Sequence, residues 1–237
     1  MPEHDDAVRE RFAATADGVA LHAREQVVLV REQVRSFVPL RGDERALDVG
    51  TGAGTLALAL APLVHEVVGV DLVPELLRAA RREAPANVTF VEGDATALPI
   101  DDACFDLVCS RRTLHHVGRP ATAVEELARV CLAGGHAYVD DQIAPEDEGE
   151  AAALDRFERA RDPSHARTLT ESGLRALLEA NGFRVIRAER AEHRRPLDYY
   201  LALAGCTGEA AGHVKELSPG DRDHYVASSV RLACVRA

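Results

Sequence analysis

The chain has 237 residues, 46% of them apolar, and a net charge of -11 from 39 acidic and 28 basic side chains. This length suits one large core in one domain, and an acidic surface without a basic run argues against nucleic acid as a main partner. Five cysteines with no CxxC pair argue against a disulfide framework or structural zinc; a polar first segment and no 18-residue apolar run leave no signal peptide or membrane span, so a cytoplasmic protein is expected.

Residues 1–40 are alanine-rich and mixed in charge, with VVLVREQVRSFV reading as a helical stripe, and are expected to form a helical cap. From residue 46 short apolar strands alternate with helical patterns: ALDV, TLALALAPL, EVVGVD and PELLRAARR, the last opened by Pro74 at a first helical position. This βαβ rhythm predicts a mainly parallel sheet. NVTFVEG and FDLVCS continue it as third and fourth strands. Val124, Leu127, Ala128 and Cys131 mark a buried helical face, LAGG a turn and HAYVDD a fifth strand.

Residues 142–167 interrupt the rhythm with a polar, partly helical segment. Thr168 and Glu171 suggest a capping box for a helix carrying Leu174, Leu177 and Leu178 and ending at Asn181-Gly182. FRVIRAE and VRLACVRA read as two further strands, with about thirty less regular residues between them. The expected organisation is one domain over 1–237, with a cap at 1–40 and substrate-side insertions at 142–170 and 191–227. The cap is also a candidate dimer surface, so monomer and homodimer both stay open.

The chemistry concentrates in LDVGTGAGT, residues 47–55. Gly50, Gly52 and Gly54 allow a tight turn and close approach to a ligand ahead of a helix N-terminus. The dinucleotide pattern GxGxxG would put its third glycine at 55, where threonine stands. Asp48, two residues before the first glycine, suits a cationic amine rather than a pyrophosphate. Asp71, ending a second strand, suits the hydroxyls of a ribose. Asp94 in GDA suits an adenine amino group, with Ala95 leaving room beside the ring. Together they describe a ligand with an amine, a ribose and an adenine.

LDVGTGAGT, VVGVD, FVEGDATALPI with FDLVCS, and ELARVCLAGGHAYVDD resemble the sequential motifs of class I S-adenosylmethionine-dependent methyltransferases over residues 40–190. The RRTLHH and RDPSH segments are similar to the branch with the ubiquinone and menaquinone C-methyltransferases. The resemblance implies a Rossmann-like α/β fold: a seven-stranded, mainly parallel sheet with helices on both faces and an antiparallel last strand. It implies S-adenosyl-L-methionine as cofactor, held by Asp48, Gly50, Thr51, Gly52, Gly54, Asp71, Leu72, Asp94, Ala95 and Ser110. Ala133 replaces the usual proline of the turn after the fourth helix, and the quinone enzymes' N-terminal stretch of tyrosine, asparagine and tryptophan is missing, which removes the main reason for a quinone substrate.

The expected reaction is in-line methyl transfer to a small molecule. His115 and His116 are candidate bases because imidazole titrates near neutrality, with His165 as second choice; helix capping or packing is the alternative for the first two. RDPSH reads either as an anchor for an acidic or hydroxylated substrate or as a tie through an arginine–aspartate pair. Tyr199 and Tyr200 read as a stacking surface or as packing, and Asp140 and Asp141 as site residues or local backbone acceptors. No HExxH or close ligand spacing occurs, so no metal is expected. The rivals are an NAD(P)-dependent oxidoreductase and a non-catalytic nucleoside-binding domain.

Overall fold

The computed structural model describes residues 2–221 and 223–237. Its strands are β1 (Arg45–Val49), β2 (Glu66–Asp71), β3 (Val88–Glu92), β4 (Phe105–Arg111), β5 (Cys131–Gln142), β6 (Phe183–Pro196) and β7 (His224–Arg236). They form one seven-stranded sheet in the order β3-β2-β1-β4-β5-β7-β6. β1 to β5 pair in parallel, and β7 runs antiparallel between β5 and β6. The central strands read as continuous apolar runs because both their faces are covered by helices.

The helices are α1 (Pro2–Ala14), α2 (Ala16–Phe37), α3 (Thr55–Leu60), α4 (Pro74–Arg81), α5 (Pro120–Val130), α6 (Glu148–Arg161), α7 (Glu171–Ala180), α8 (Leu197–Leu203) and α9 (Gly208–Glu216). On one sheet face Val124 and Leu127 of α5 and Leu174 and Leu178 of α7 pack against Val108, Val139 and Val230. On the other, Val30, Val34 and Phe37 of α2 and Leu56, Leu60 and Leu77 of α3 and α4 cover Ala46, Leu107 and Tyr138. α6, α8 and α9 build a separate small core around Phe157, Tyr200 and Tyr225. No helix among the described residues is long and apolar enough to cross a membrane.

Three local expectations change. The cap of α7 is Thr170, whose hydroxyl accepts from the Gly173 N–H at 3.0 Å, not Thr168. Thr168 is buried and donates its N–H to Asp155, while Glu171 is drawn to Arg175 and Arg190, so neither member of the supposed capping box closes on the other. β6 runs seven residues beyond FRVIRAE, and β7 begins at His224, so both strands extend as a hairpin well past the parallel sheet. The less regular stretch between them is therefore the rest of this hairpin plus α8 and α9. LAGG is a bulge within β5: from Cys131 to His136 the register on β4 advances only from Phe105 to Leu107.

The chain passes outward from β1 through β2 to β3, then returns to place β4 on the other side of β1. Parallel sheets bind ligands outside the carboxyl ends of the strands where the order reverses. Here that crevice lies between the end of β1, with Asp48, and the end of β4, with Arg111.

Candidate active site

A cavity of about 610 Å³ occupies this crevice, within the size range of small-molecule sites. One half is lined by the glycine loop, Asp71, Leu72, Asp94 and Ala95; the other by Arg111, Arg112 and the β6–β7 hairpin; α1 and α2 cover both.

The loop is built for close approach. Gly50, at φ +70°, has no room for a side chain, since a Cβ would meet Thr113 Cγ2 at 2.1 Å; Thr113 Oγ1 in turn donates to the Gly50 carbonyl at 3.1 Å. Gly52, at φ +56°, has open space around its Cβ position and needs glycine only for its conformation. Gly54 caps α3 in the left-handed region and packs toward Ala80 and Phe90; it does not line the cavity.

Asp48 and Asp71 hold the loop as well as facing the cavity. Asp48 Oδ2 accepts from Thr51 Oγ1 at 2.7 Å and from the Ala57 N–H at 3.0 Å, fixing the start of α3. Burial pushes its carboxyl up to about 6, against the pull of those two hydrogen bonds. Asp71 accepts from the N–H groups of Gly52 at 2.7 Å and Val73 at 2.9 Å; burial raises it too. Asp94 is closed on Thr96, accepting from its N–H and hydroxyl at 2.7 and 2.8 Å. Thr51, Leu72 and Ala95 line the cavity, whereas Ser110 lies beneath it, buried with an unpartnered hydroxyl.

The histidines separate in role. After β4 the chain makes a short 3-10 turn, Leu114–His116, which directs His115 and His116 to the cavity. His115 Nδ1 lies 2.5 Å from Asp141 Oδ1, and Asp141 also accepts from the N–H groups of Leu114 and Gln142, both at 2.7 Å. Burial alone would raise Asp141, but His115, Arg112 and these hydrogen bonds hold it below the usual carboxylate range. With Nδ1 engaged, His115 presents Nε2, which makes no protein hydrogen bond among the described residues. Burial, then the neighbouring His115, hold the His116 imidazole well below its ordinary value, and Ser164 contacts its Nδ1. His165 is off the lining: it is buried, with Nε2 3.1 Å from Asp155.

RDPSH is a tie. Arg11 of α1 reaches Asp162 at 2.8 Å, both buried, and Arg161 pairs with the buried Glu158 at 2.9 Å. Glu158 Oε1 further accepts from Gln142, Tyr200 and Tyr225, so Tyr200 belongs to this buried network and stacks on Tyr225 at 4.2 Å. Tyr199 is half-exposed on the cavity wall. No cluster among the described residues is arranged to hold a metal. Arg112 lies in the RRTLHH segment without having been singled out, whereas His22, His193, Arg195 and Arg231 line the cavity with no local motif around them, and only the fold brings them together.

The methyltransferase-domain family matches residues 47–139. The uncharacterized methyltransferase YcgJ of Bacillus subtilis is 38% identical over 145 residues, which are 60% of this chain and 57% of that protein. A demethylmenaquinone methyltransferase of Chlorobaculum tepidum is 34% identical over 119 residues, 50% of this chain and 49% of that protein. The chain thus spans about half the length of the curated relatives it matches. The crystal structure of YcgJ superposes with a TM-score of 0.80 at 25% identity, over 90% of this chain and 98% of that one. The glycine loop, the strand-end carboxylates and the seven-stranded order fit S-adenosylmethionine, and residues 47–139 are a methyltransferase domain of the class I S-adenosylmethionine-dependent type.

Proposed function

We propose that this protein transfers a methyl group from S-adenosylmethionine to a small-molecule acceptor, with His115 as the general base. The observation that carries the reading is the buried His115–Asp141 pair, whose imidazole lines the same cavity as the glycine loop. Asp48 and the Gly50 backbone would face the methionine portion, Asp71 the ribose, and Asp94 with Ala95 the adenine. The sulfonium supplies an electrophilic methyl whose bond to sulfur breaks, with its electron pair, as the acceptor's bond to carbon forms.

The chain's own work is then alignment, exclusion of water and removal of a proton. Asp141 fixes the tautomer that leaves Nε2 as an acceptor, as assigned from its hydrogen bond, and stabilises the imidazolium once Nε2 has taken the acceptor's proton. His116 stays neutral and packs edge-on against Phe12 at 5.1 Å, a contact that seats the cap over the site. The cavity's cover by α1 and α2 supports a small molecule rather than a polymer. The free cysteines support a cytoplasmic location. Leu21 and Val28, exposed on α2, leave a surface compatible with either monomer or homodimer.

Calorimetric titration of S-adenosylmethionine, S-adenosylhomocysteine, NAD(H) and NADP(H) tests the reading. Saturable micromolar binding of the first two alone is expected. Binding of a nicotinamide nucleotide alone would sink it in favour of the oxidoreductase. Binding of the sulfur nucleosides, with no transfer of a tritiated methyl group to any acceptor screened, would favour a non-catalytic nucleoside-binding domain.

A further inference from the structure

The second half of the cavity has a charge pattern that the methyl-transfer reading does not use. Four strands meet there in register: Arg111 of β4 pairs with Asp140 of β5, Asp140 with Arg231 of β7, and Arg231 with Glu189 of β6. The side chains follow, with Arg111 3.3 Å from Asp140 and Arg231 2.5 Å from Glu189. This row of alternating sign is internally neutral: Arg111 Nε is taken by Asp140, whereas Arg231 bonds Glu189 through its terminal nitrogen and leaves its buried Nε without a hydrogen-bond partner.

Beside that row stand two arginines that make no ion pair among the described residues. Side chains alternate along a strand, so Glu189, Ala191, His193 and Arg195 share one face of β6, and Ala191, His193 and Arg195 line the cavity. Arg112 enters from the end of β4 in a left-handed conformation, φ +55°, which a non-glycine residue rarely adopts and which is characteristic of functional sites. His22 enters from α2. Among the described residues neither Arg112 nor Arg195 makes an ion pair, although Arg195 lies 5.7 Å over the Tyr200 ring.

Of the other cavity carboxylates, Asp48 and Asp71 are engaged by the glycine loop, Asp94 by Thr96 and Asp162 by Arg11, and Asp5 lines the cavity from α1. The two histidines register the excess of positive charge. Burial and then Arg195 lower His22; burial and then Arg112 and Arg195 lower His193. Arg195 acts on both imidazoles and Arg112 on His193, opposed in part by Glu25 and Asp140, and the two arginines and two histidines all line the one cavity.

We infer that the acceptor carries an anionic oxygen group, of carboxylate or phosphate type, which Arg112 and Arg195 bind in the hairpin half of the cavity. The inference rests on the methyl-transfer reading for the word acceptor, but the anion site stands on its own residues. Guanidinium is suited to it because its planar donors match the geometry of either oxyanion. Arg112 stands three residues before His115 after β4 and both line the cavity, so the anion site adjoins the His115–Asp141 pair.

The test titrates benzoate, phenyl phosphate, benzamide and benzylamine into the full chain, with and without saturating S-adenosylhomocysteine. The expected result is binding of at least one anion more than tenfold tighter than the amide or the amine, and the better of benzoate and phenyl phosphate identifies the oxyanion type. R112Q and R195Q should each weaken that anion about tenfold while keeping the wild-type melting temperature and the affinity for S-adenosylhomocysteine. R195E should abolish anion binding and admit benzylamine. Equal binding of the neutral and anionic probes, no binding of either anion, or an R112Q/R195Q double variant that keeps the anion affinity overturns the inference. Failure of S-adenosylhomocysteine to bind sinks the methyl-transfer reading instead, and the anion titration without it is read separately.

Discussion

Replacing Asp48 by asparagine should stabilise the protein and disable it together. The Asp48 carboxyl is fully buried, and burial raises it from 3.8 to about 6, which at 1.36 kcal/mol per pH unit corresponds to about 3 kcal/mol of cost for keeping it ionised at neutral pH. A group raised on folding lowers stability above its folded value, and the loss is relieved as pH falls toward the unfolded value. D48N keeps an oxygen for Thr51 and the Ala57 N–H, so the cap of α3 survives while the charge goes. The variant should therefore unfold about 3 kcal/mol higher at pH 7, a melting shift of about 6–12 °C for a domain of this size. At pH 4.5, where wild-type Asp48 is itself neutral when folded, the same linkage leaves a gap of only about 1 kcal/mol. Calorimetric unfolding at the two pH values measures both, and titration of S-adenosylhomocysteine should show a loss of about 10–100-fold from the missing charge-assisted contact. A stability gap that stays constant with pH, or a variant less stable than wild type at pH 7, would refute the assignment of Asp48 as a buried charge kept for its ligand.

The same carboxylate predicts that wild-type affinity for S-adenosylhomocysteine is level above pH 6 and falls toward tenfold per pH unit below it, as ligand binding competes with protonation; a flat calorimetric profile between pH 7 and 5 contradicts this. H115A should lower turnover about 10²–10⁴-fold with cofactor affinity kept within twofold, and activity within threefold of wild type removes His115 as the base. G50A should abolish cofactor binding, because its Cβ strikes Thr113, whereas G52A, with space but a left-handed φ, should lose about 1–2 kcal/mol by chemical denaturation; equal effects would show that the Thr113 contact does not matter. R11M strands the buried Asp162 and should cost about 3–5 kcal/mol, most of it restored in R11M/D162N; a double variant no more stable than R11M argues against the tie between α1 and α6.

The glycine-loop half of the cavity was legible in the sequence because its lining is local. Asp48 to Gly52, Asp71 with Leu72, and Asp94 with Ala95 each stand at or just after the end of a short strand, and an apolar strand followed by a helix pattern fixes where that end lies. The hairpin was not legible for the opposite reason. The outer half of β6, RAERAEHRRP, alternates charged with charged or small residues, because it is an edge strand of which one face meets solvent and the other a polar cavity. Without an apolar face its period of two carries no signal. The capping box failed on a smaller point: the T-x-x-E spacing fits Thr168 as well as any helix start, but the side-chain acceptor that closes on the helix is two residues later, at Thr170.

The hairpin half of the cavity shows what a single sequence withholds. His22, Arg112 and Arg195 come from a capping helix, the end of β4 and a hairpin, and no spacing rule links them; only the strand order, with β7 inserted between β5 and β6, sets them around one space. Net charge misled in the same way. A chain at -11 suggests a surface that repels anions, yet the selectivity of a cavity depends on which of its own charges lack an ionic partner. Inside this cavity the carboxylates are occupied by backbone N–H groups, hydroxyls or ion pairs, whereas two guanidinium groups lack an ionic partner. Both guanidinium groups are only half-buried, so water meets part of their charge in the free protein and their replacement by a neutral side chain leaves stability unchanged; what they contribute is a pair of planar donors for a ligand oxyanion.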